Sequence, residues 1–82
     1  MSDRPEIIVW TKDMCPYCVA AKDLLKQKDM YWFEERKIDG ERWTREQLLE
    51  AVPGARTVPQ IFIDGKLIGT FDNLKKYFDE QK

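Results

Sequence analysis

The sequence predicts an α/β fold: a mixed four-stranded sheet and three helices in the order β-α-β-α-β-β-α. Near the start, an apolar strand pattern is followed by a helical pattern and a second strand pattern, which favours parallel pairing through a right-handed crossover. Further along, an Asp-Gly pair at 64–65 joins two short strand patterns and predicts an antiparallel hairpin. Apolar residues at helical spacing follow this hairpin and predict the third helix.

The first strand and helix follow from residues 7–28. Residues 7–10, Ile-Ile-Val-Trp, form a continuous apolar run typical of a strand buried on both faces, so we expect it in the interior of the sheet. From 16 to about 28, polar and apolar residues alternate at helical spacing, and Pro16 suits the first helical position. The apolar stripe of this helix is predicted to contain Cys18, Ala21, Leu24 and Leu25.

The middle of the chain predicts an edge strand and a short helix. Residues 32–38 have a strand pattern, but four consecutive charged residues at 34–37 favour the edge of the sheet and a solvated surface there. Thr44 and Gln47 have the spacing of a capping box. They predict a helix from about 45 to 52, which Pro53-Gly54 ends.

The last third predicts the hairpin and the final helix. Residues 60–63 and 66–68 flank the Asp-Gly turn and are expected to be antiparallel neighbours. Apolar residues at 71, 74, 77 and 78 share one helical face, and either Thr70 or Asp72 is a suitable N-cap.

Length and composition exclude several classes of protein. With 82 residues the chain is expected to form one domain, 1–82. Lysine and arginine number 14 against 15 aspartates and glutamates, so the net charge of −1 favours neither nucleic acid nor anionic membranes as partners. The sequence has no histidine, which excludes histidine-based catalytic triads and histidine-ligated metal sites.

The chemistry therefore centres on two cysteines, Cys15 and Cys18. A disulfide between them closes a loop of roughly four residues and would contribute only about 2 kcal/mol by the chain-entropy estimate. Residues 1–5 lack a secretory signal pattern and no apolar run is long enough for a transmembrane helix, so we expect the cytoplasm. In that reducing compartment a Cys-x-x-Cys pair favours redox chemistry over a structural role. Metal ligation and inert core thiols are the alternatives.

The two thiols are expected to differ in reactivity. Cys15 directly precedes Pro16, at the N-terminal end of the predicted helix, where unpaired N–H groups and the helix dipole lower the pKa of a thiol. Lys12 adds a nearby positive charge. Cys18 lies one turn later, on the apolar stripe. An exposed, activated Cys15 beside a shielded Cys18 is the arrangement that disulfide exchange requires.

Three motifs resemble the dithiol glutaredoxins across nearly the whole chain. They are Cys15-Pro16-Tyr17-Cys18 after a strand, Thr57-Val58-Pro59 before another strand, and Ile68-Gly69 leading into Asp72. Thioredoxins have Trp-Cys-Gly-Pro-Cys at the first motif, whereas Met14 precedes Cys15 in this chain. The monothiol, cluster-carrying glutaredoxins have Cys-Gly-Phe-Ser at the same motif. Because this chain has Pro16 and Cys18 there instead, iron–sulfur transfer is the weaker hypothesis.

The resemblance implies a thioredoxin fold and a glutathione-dependent thiol-disulfide oxidoreductase. It implies that Cys15 is the nucleophile, that Cys18 is the resolving thiol, and that glutathione is a co-substrate with no bound metal or organic cofactor. The expected partners are glutathione and proteins that carry glutathione mixed disulfides or disulfides, with ribonucleotide reductase as one candidate. A monomer is expected.

The resemblance also implies a glutathione groove. Its expected residues are Lys12, Tyr17, Arg56, Thr57, Val58, Pro59, Phe71 and Asp72. Lys12 and Arg56 are expected to face a carboxylate, Tyr17 to form a wall, and the backbone of Val58 to pair with glutathione like an added strand before a cis proline. Taken alone, Arg56 is equally consistent with a solvated loop residue and Asp72 with an ordinary helix cap.

Thr70 departs from the family pattern, which usually has a second glycine after Ile68-Gly69. If that glycine provides a positive φ or a close backbone approach, a threonine is expected to shift the loop and weaken contacts to the γ-glutamyl end of glutathione.

Three other functions are also consistent with the sequence. One is an electron donor of similar fold that a flavoprotein reductase reduces, for example to serve a ribonucleotide reductase. Another is a non-catalytic, redox-sensing module that holds a peptide in the groove. The third is a metal or cluster site that two chains share through their Cys15 thiolates.

Overall fold

The computed structural model describes residues 4–80 and has the predicted order of elements. These elements are β1 (Ile7–Thr11), α1 (Pro16–Gln27), β2 (Glu34–Lys37), α2 (Arg45–Ala51), β3 (Gln60–Ile63), β4 (Lys66–Gly69) and α3 (Phe71–Asp79). Within the described range, no helix combines the length and the apolar character needed to cross a membrane.

The sheet has the strand order β2-β1-β3-β4, so β1 is interior and β2 is an edge strand, as predicted. β1 pairs in parallel with β2 and antiparallel with β3, and Trp10 lies opposite both Arg36 and Gln60. The observed β2 is shorter than the predicted segment 32–38. Trp32 and Phe33 precede the strand because their side chains pack against the main core, and the Trp32 indole N–H donates to the carbonyl of Pro5 at 2.7 Å.

The Asp64-Gly65 turn forms the predicted antiparallel hairpin between β3 and β4. Both turn residues have positive φ, 53° and 79°, which is the backbone conformation of the tight turns that the Asp-Gly pair favours. A bulge shifts the register between Ile61 and Phe62, so that Ile61 lies opposite Gly69. β4 ends at Gly69, one residue before the first turn of α3.

Two apolar clusters cover the two faces of the sheet. The larger contains residues of β1, β3, α1 and α3, namely Ile7, Val9, Ala21, Leu25, Ile61, Ile63, Leu74 and Phe78. The smaller contains Trp10 of β1 with Leu48 and Val52 at α2. Successive residues of β1 therefore face different clusters, which explains why its sequence is continuously apolar. α2 alone packs on the second face, close to the loop that precedes β3.

Two helix caps have the side-chain hydrogen bonds expected of their sequences. Thr44 and Gln47 form the predicted capping box, with N–H to side-chain oxygen distances of 2.8 and 3.1 Å. At α3 the N-cap is Thr70, not Asp72. The Asn73 side-chain oxygen accepts from both the N–H and the hydroxyl of Thr70 at 3.0 Å, which fixes the start of the helix.

Candidate active site

Cys15 is the N-cap residue of α1, with Pro16 in the first turn, as predicted. The Cys15 Sγ accepts a hydrogen bond from the N–H of Cys18 at 3.2 Å. The first turn of the described helix contains no acidic residue. A negative charge on this sulfur would therefore meet a backbone donor and the positive end of the helix dipole.

Cys15 and Cys18 form a disulfide, with their Cα atoms 5.2 Å apart. Cys18 is 2% exposed, in line with the prediction, but Cys15 is only 9% exposed, so the expectation of an exposed Cys15 is wrong for this oxidised state. The loop before β3 covers it, since the carbonyl oxygen of Val58 lies 3.6 Å from the Cys15 Sγ. Cys15 nevertheless remains the more accessible of the two residues.

A groove of about 290 Å³ lies beside the disulfide, and we call it the Tyr17–Phe71 groove. Its lining residues are Tyr17, Thr57, Val58, Pro59, Thr70, Phe71 and Asp72. The rings of Tyr17 and Phe71 lie 6.0 Å apart at an angle of 35°, and Tyr17 is 64% exposed. The Val58–Pro59 peptide bond is cis, as the resemblance implied. Three segments far apart in the sequence thus meet in this groove.

Lys12 and Arg56 lie at a smaller cavity of about 50 Å³ that shares Thr57 and Val58 with the groove. Arg45 of α2 lines the same cavity, and none of its described lining residues is acidic. Three cationic residues therefore line one cavity together with Thr57 and Val58. Such a set favours a carboxylate ligand. The structure thus brings all eight predicted groove residues to one region around Cys15.

The far end of the Tyr17–Phe71 groove is the N-terminus of α3, where Thr70 is the N-cap and Phe71 and Asp72 belong to the first turn. Thr70 has φ −87°, an extended conformation that any residue adopts. The positive φ, 120°, is at Gly69, where a Cβ would come within 2.5 Å of the Asn73 side-chain oxygen. The positive φ that would strain a threonine is therefore at Gly69 and not at Thr70, so that part of the expectation is wrong. Thr70 is instead a groove residue that the sequence interpretation missed.

A third cavity, of about 530 Å³, opens on the β2 side of the disulfide. Both cysteines line it, together with Met14, which is 98% exposed and has φ 55°. Glu35 of β2 also lines it. Sequence reasoning identified neither Met14 nor Glu35 as a site residue. The position of Met14 next to Cys15 was an available signal, whereas Glu35 reaches the site only through the pairing of β1 and β2.

Ion pairs join the charged residues that line this third cavity. The Lys22 ammonium lies 2.9 Å from a Glu35 carboxylate oxygen, and the Thr11 hydroxyl donates to the same oxygen at 2.7 Å. Burial raises the pKa of the Glu35 carboxyl, but the hydrogen bonds from Thr11 and Lys22 outweigh it and leave the pKa below its usual value. Lys37 pairs with Asp13 at 3.0 Å, which raises the pKa of the Lys37 ammonium.

Comparison with known proteins decides the family. A sequence model of the glutaredoxin family matches residues 7–68. The chain belongs to the glutaredoxin family. Among its relatives, glutaredoxin 3 of Escherichia coli K12 is 47% identical over 66 residues, which are 80% of this chain and 77% of the relative.

Solved glutaredoxin structures share the fold of this glutaredoxin. Glutaredoxin 1 of Francisella tularensis superposes with a TM-score of 0.77 at 34% identity, over 93% of this chain and 94% of the other. A glutaredoxin–glutathione complex from buckwheat superposes with a TM-score of 0.75 at 32% identity, over 93% of this chain and 71% of the other. The predicted thioredoxin fold and the resemblance to dithiol glutaredoxins are confirmed. The Cys15–Cys18 pair is that of a thiol-disulfide oxidoreductase.

Proposed function

We propose that this glutaredoxin uses glutathione to reduce protein–glutathione mixed disulfides and protein disulfides. The observation that carries the proposal is the convergence of the eight predicted groove residues beside the Cys15–Cys18 disulfide. The buckwheat relative of similar fold was solved as a complex with glutathione, which supports the same ligand for this chain.

The chemistry of the groove suits a tripeptide with two carboxylates and one ammonium. Within residues 4–80 the backbone N–H of Val58 has no hydrogen-bond partner, so the cysteinyl part of glutathione is expected to add there like a strand. The glycine carboxylate then faces Lys12 and Arg56. The γ-glutamyl end reaches the start of α3, where N–H groups suit its carboxylate and Asp72 suits its ammonium.

Cys15 is proposed to act as the nucleophile. Its thiolate, stabilised by the Cys18 N–H and the helix N-terminus, attacks the glutathionyl sulfur of a mixed disulfide. The target leaves as a thiolate and takes up a proton, while Cys15 becomes glutathionylated. A second glutathione thiolate attacks that bond, which releases glutathione disulfide and restores the Cys15 thiolate.

Cys18 is proposed to act only on protein disulfides. There Cys15 forms a mixed disulfide with the target, and the Cys18 thiolate displaces the target's sulfur to give the Cys15–Cys18 bond seen here. Two glutathione molecules then reduce that bond and leave as glutathione disulfide. The burial of Cys18 limits its access to other partners.

The test is turnover of a small glutathione mixed disulfide, coupled to glutathione reductase, with the native chain. Turnover that depends on glutathione supports the proposal. An inactive chain with an intact fold would contradict it, and would favour a donor reduced by a flavoprotein reductase first and a binding module second. Visible absorbance of the purified protein tests the shared-cluster alternative. The cytoplasmic location, the monomeric state and ribonucleotide reductase as a target stay predictions.

A further inference from the structure

Gln60 is a buried polar residue next to the groove that the proposed mechanism does not use. It is the first residue of β3, lies opposite Trp10 in the sheet, and is 7% exposed. Within the described chain, only Thr11 and Gln60 are polar residues buried to this degree. Because burying an amide without partners is costly, its hydrogen bonds indicate why it is there.

The Gln60 side chain turns back towards the loop that precedes its own strand. Its Nε2 group donates to the carbonyl oxygen of Thr57 at 2.9 Å. This bond spans Val58 and Pro59 and closes the loop on itself. Since the Gln60 backbone is held in the sheet by its pairing with Trp10, the bond ties the groove backbone to an interior strand of the sheet.

The bond also sets the direction of a backbone donor. The carbonyl of Thr57 and the N–H of Val58 belong to one planar peptide unit and point in opposite directions. Because Gln60 holds the Thr57 oxygen on its own side, the Val58 N–H points away from Gln60. No described residue accepts from that N–H.

We infer that Gln60 is a positioning residue that orients the Val58 peptide for strand-like pairing with glutathione, an inference that rests on the proposed function. An apolar side chain at this position leaves the Thr57 oxygen without its donor and frees the peptide plane to rotate. Binding of the glutathione moiety then weakens. The N–H of Cys18 and the start of α1, which stabilise the Cys15 thiolate, stay in place.

The test compares Gln60→Met with Gln47→Met in the mixed-disulfide assay at saturating glutathione. Gln47 is exposed and forms the capping box of α2 with Thr44. Gln47→Met therefore also removes a glutamine hydrogen bond, but away from the groove, and is the matched control. For Gln60→Met we expect KM for the mixed disulfide to rise about five- to tenfold with kcat within about twofold of native. For Gln47→Met we expect KM to be unchanged.

A second variant and a spectroscopic measurement separate positioning from folding. Gln60→Leu also removes the donor to Thr57, with an apolar side chain of a different shape, so KM is expected to rise in the same way. The backbone amide resonance of Val58 is expected to shift in both Gln60 variants and not in Gln47→Met. An unchanged KM in a folded Gln60 variant, or a fall in kcat alone, would overturn the role of Gln60 and leave the proposed function standing. A native chain without glutathione turnover would overturn both.

Discussion

The Sγ of Cys15 lies 3.6 Å from the carbonyl oxygen of Val58, although the two residues are 43 positions apart in the chain. Cys15 starts α1, which follows β1, while Val58 lies in the loop that leads into β3. The pairing of β1 with β3 brings the two together. In the proposed function, the cysteinyl residue of glutathione pairs with the backbone of Val58, and this short distance would bring its sulfur beside Cys15.

The two cysteines are expected to respond differently to substitution. Cys15→Ser should abolish both activities, because it removes the thiolate at the helix N-terminus. Cys18→Ser should retain reduction of glutathione mixed disulfides and lose reduction of protein disulfides, since only the second reaction needs a resolving thiol. The coupled glutathione reductase assay with both substrate types measures this. Equal losses in both variants would contradict the assigned roles.

Asp72 is expected to contribute to glutathione affinity through its charge. Asp72→Asn should raise KM for glutathione mixed disulfides about three- to fivefold, because exposed ion pairs contribute up to about 1 kcal/mol. Asp79→Asn is the control, since Asp79 lies at the other end of the same helix and is also exposed. The kinetics should separate the two variants, and similar KM values for both would argue against a contact between Asp72 and glutathione.

Thr70→Gly is expected to leave glutathione affinity unchanged and to lower stability. The backbone of Thr70 is extended, so glycine relieves no strain there, and the variant loses the hydroxyl bond to Asn73. Glycine also increases the conformational entropy of the unfolded chain, and the two effects together should cost about 1 kcal/mol. Urea unfolding and KM for the mixed disulfide measure the two effects. A lower KM in Thr70→Gly would show that Thr70 does hinder the ligand.

Glu35 is expected to make stability depend on pH. Its folded-state pKa lies below the usual value of 4.5, so its stabilising contribution is complete above that value and is lost as the pH falls through the folded-state pKa. Glu35→Gln should lower the free energy of unfolding at neutral pH by less than about 1 kcal/mol, given that solvent screens this partly exposed group. The difference from native should shrink at about pH 3.

Urea unfolding at both pH values measures the Glu35 contribution. Glu50→Gln is the control, because Glu50 is also exposed and lies on α2 away from Lys22. A difference between native and Glu35→Gln that persists unchanged at low pH would show that the charge of Glu35 contributes nothing.

The elements were predictable because their signals are local. Pro16 after Cys15, the spacing of Thr44 and Gln47, and the Asp64-Gly65 pair each specify a helix start or a turn within a few residues. β2 was predicted too long, because Trp32 and Phe33 have a strand pattern but pack into the core outside the strand. Sequence spacing alone does not distinguish these two ways of burying an aromatic side chain.

The residues of the groove were predictable only through the family resemblance. Thr57, Val58 and Asp72 carry no local signal that links them to Cys15, and the motifs supplied that link. Gln60 and Glu35 were missed because their partners depend on side-chain direction and strand register. The near burial of Cys15 was missed for the same reason, since the loop at Val58 covers it.

The sequence by itself determined that two cysteines one helical turn apart start α1, with Cys15 at the N-cap and Cys18 on the buried stripe. These features follow from spacings of a few residues, which fix backbone geometry locally. Only the tertiary structure decided that Val58 and the start of α3 lie beside that pair, that Thr70 is unstrained, and that Gln60 holds Thr57. The first of these depends on strand pairing and helix packing, whose register is set by the whole core at once. The Gln60–Thr57 bond joins residues close in the chain, but it depends on the direction of a buried side chain, which sequence spacing does not specify.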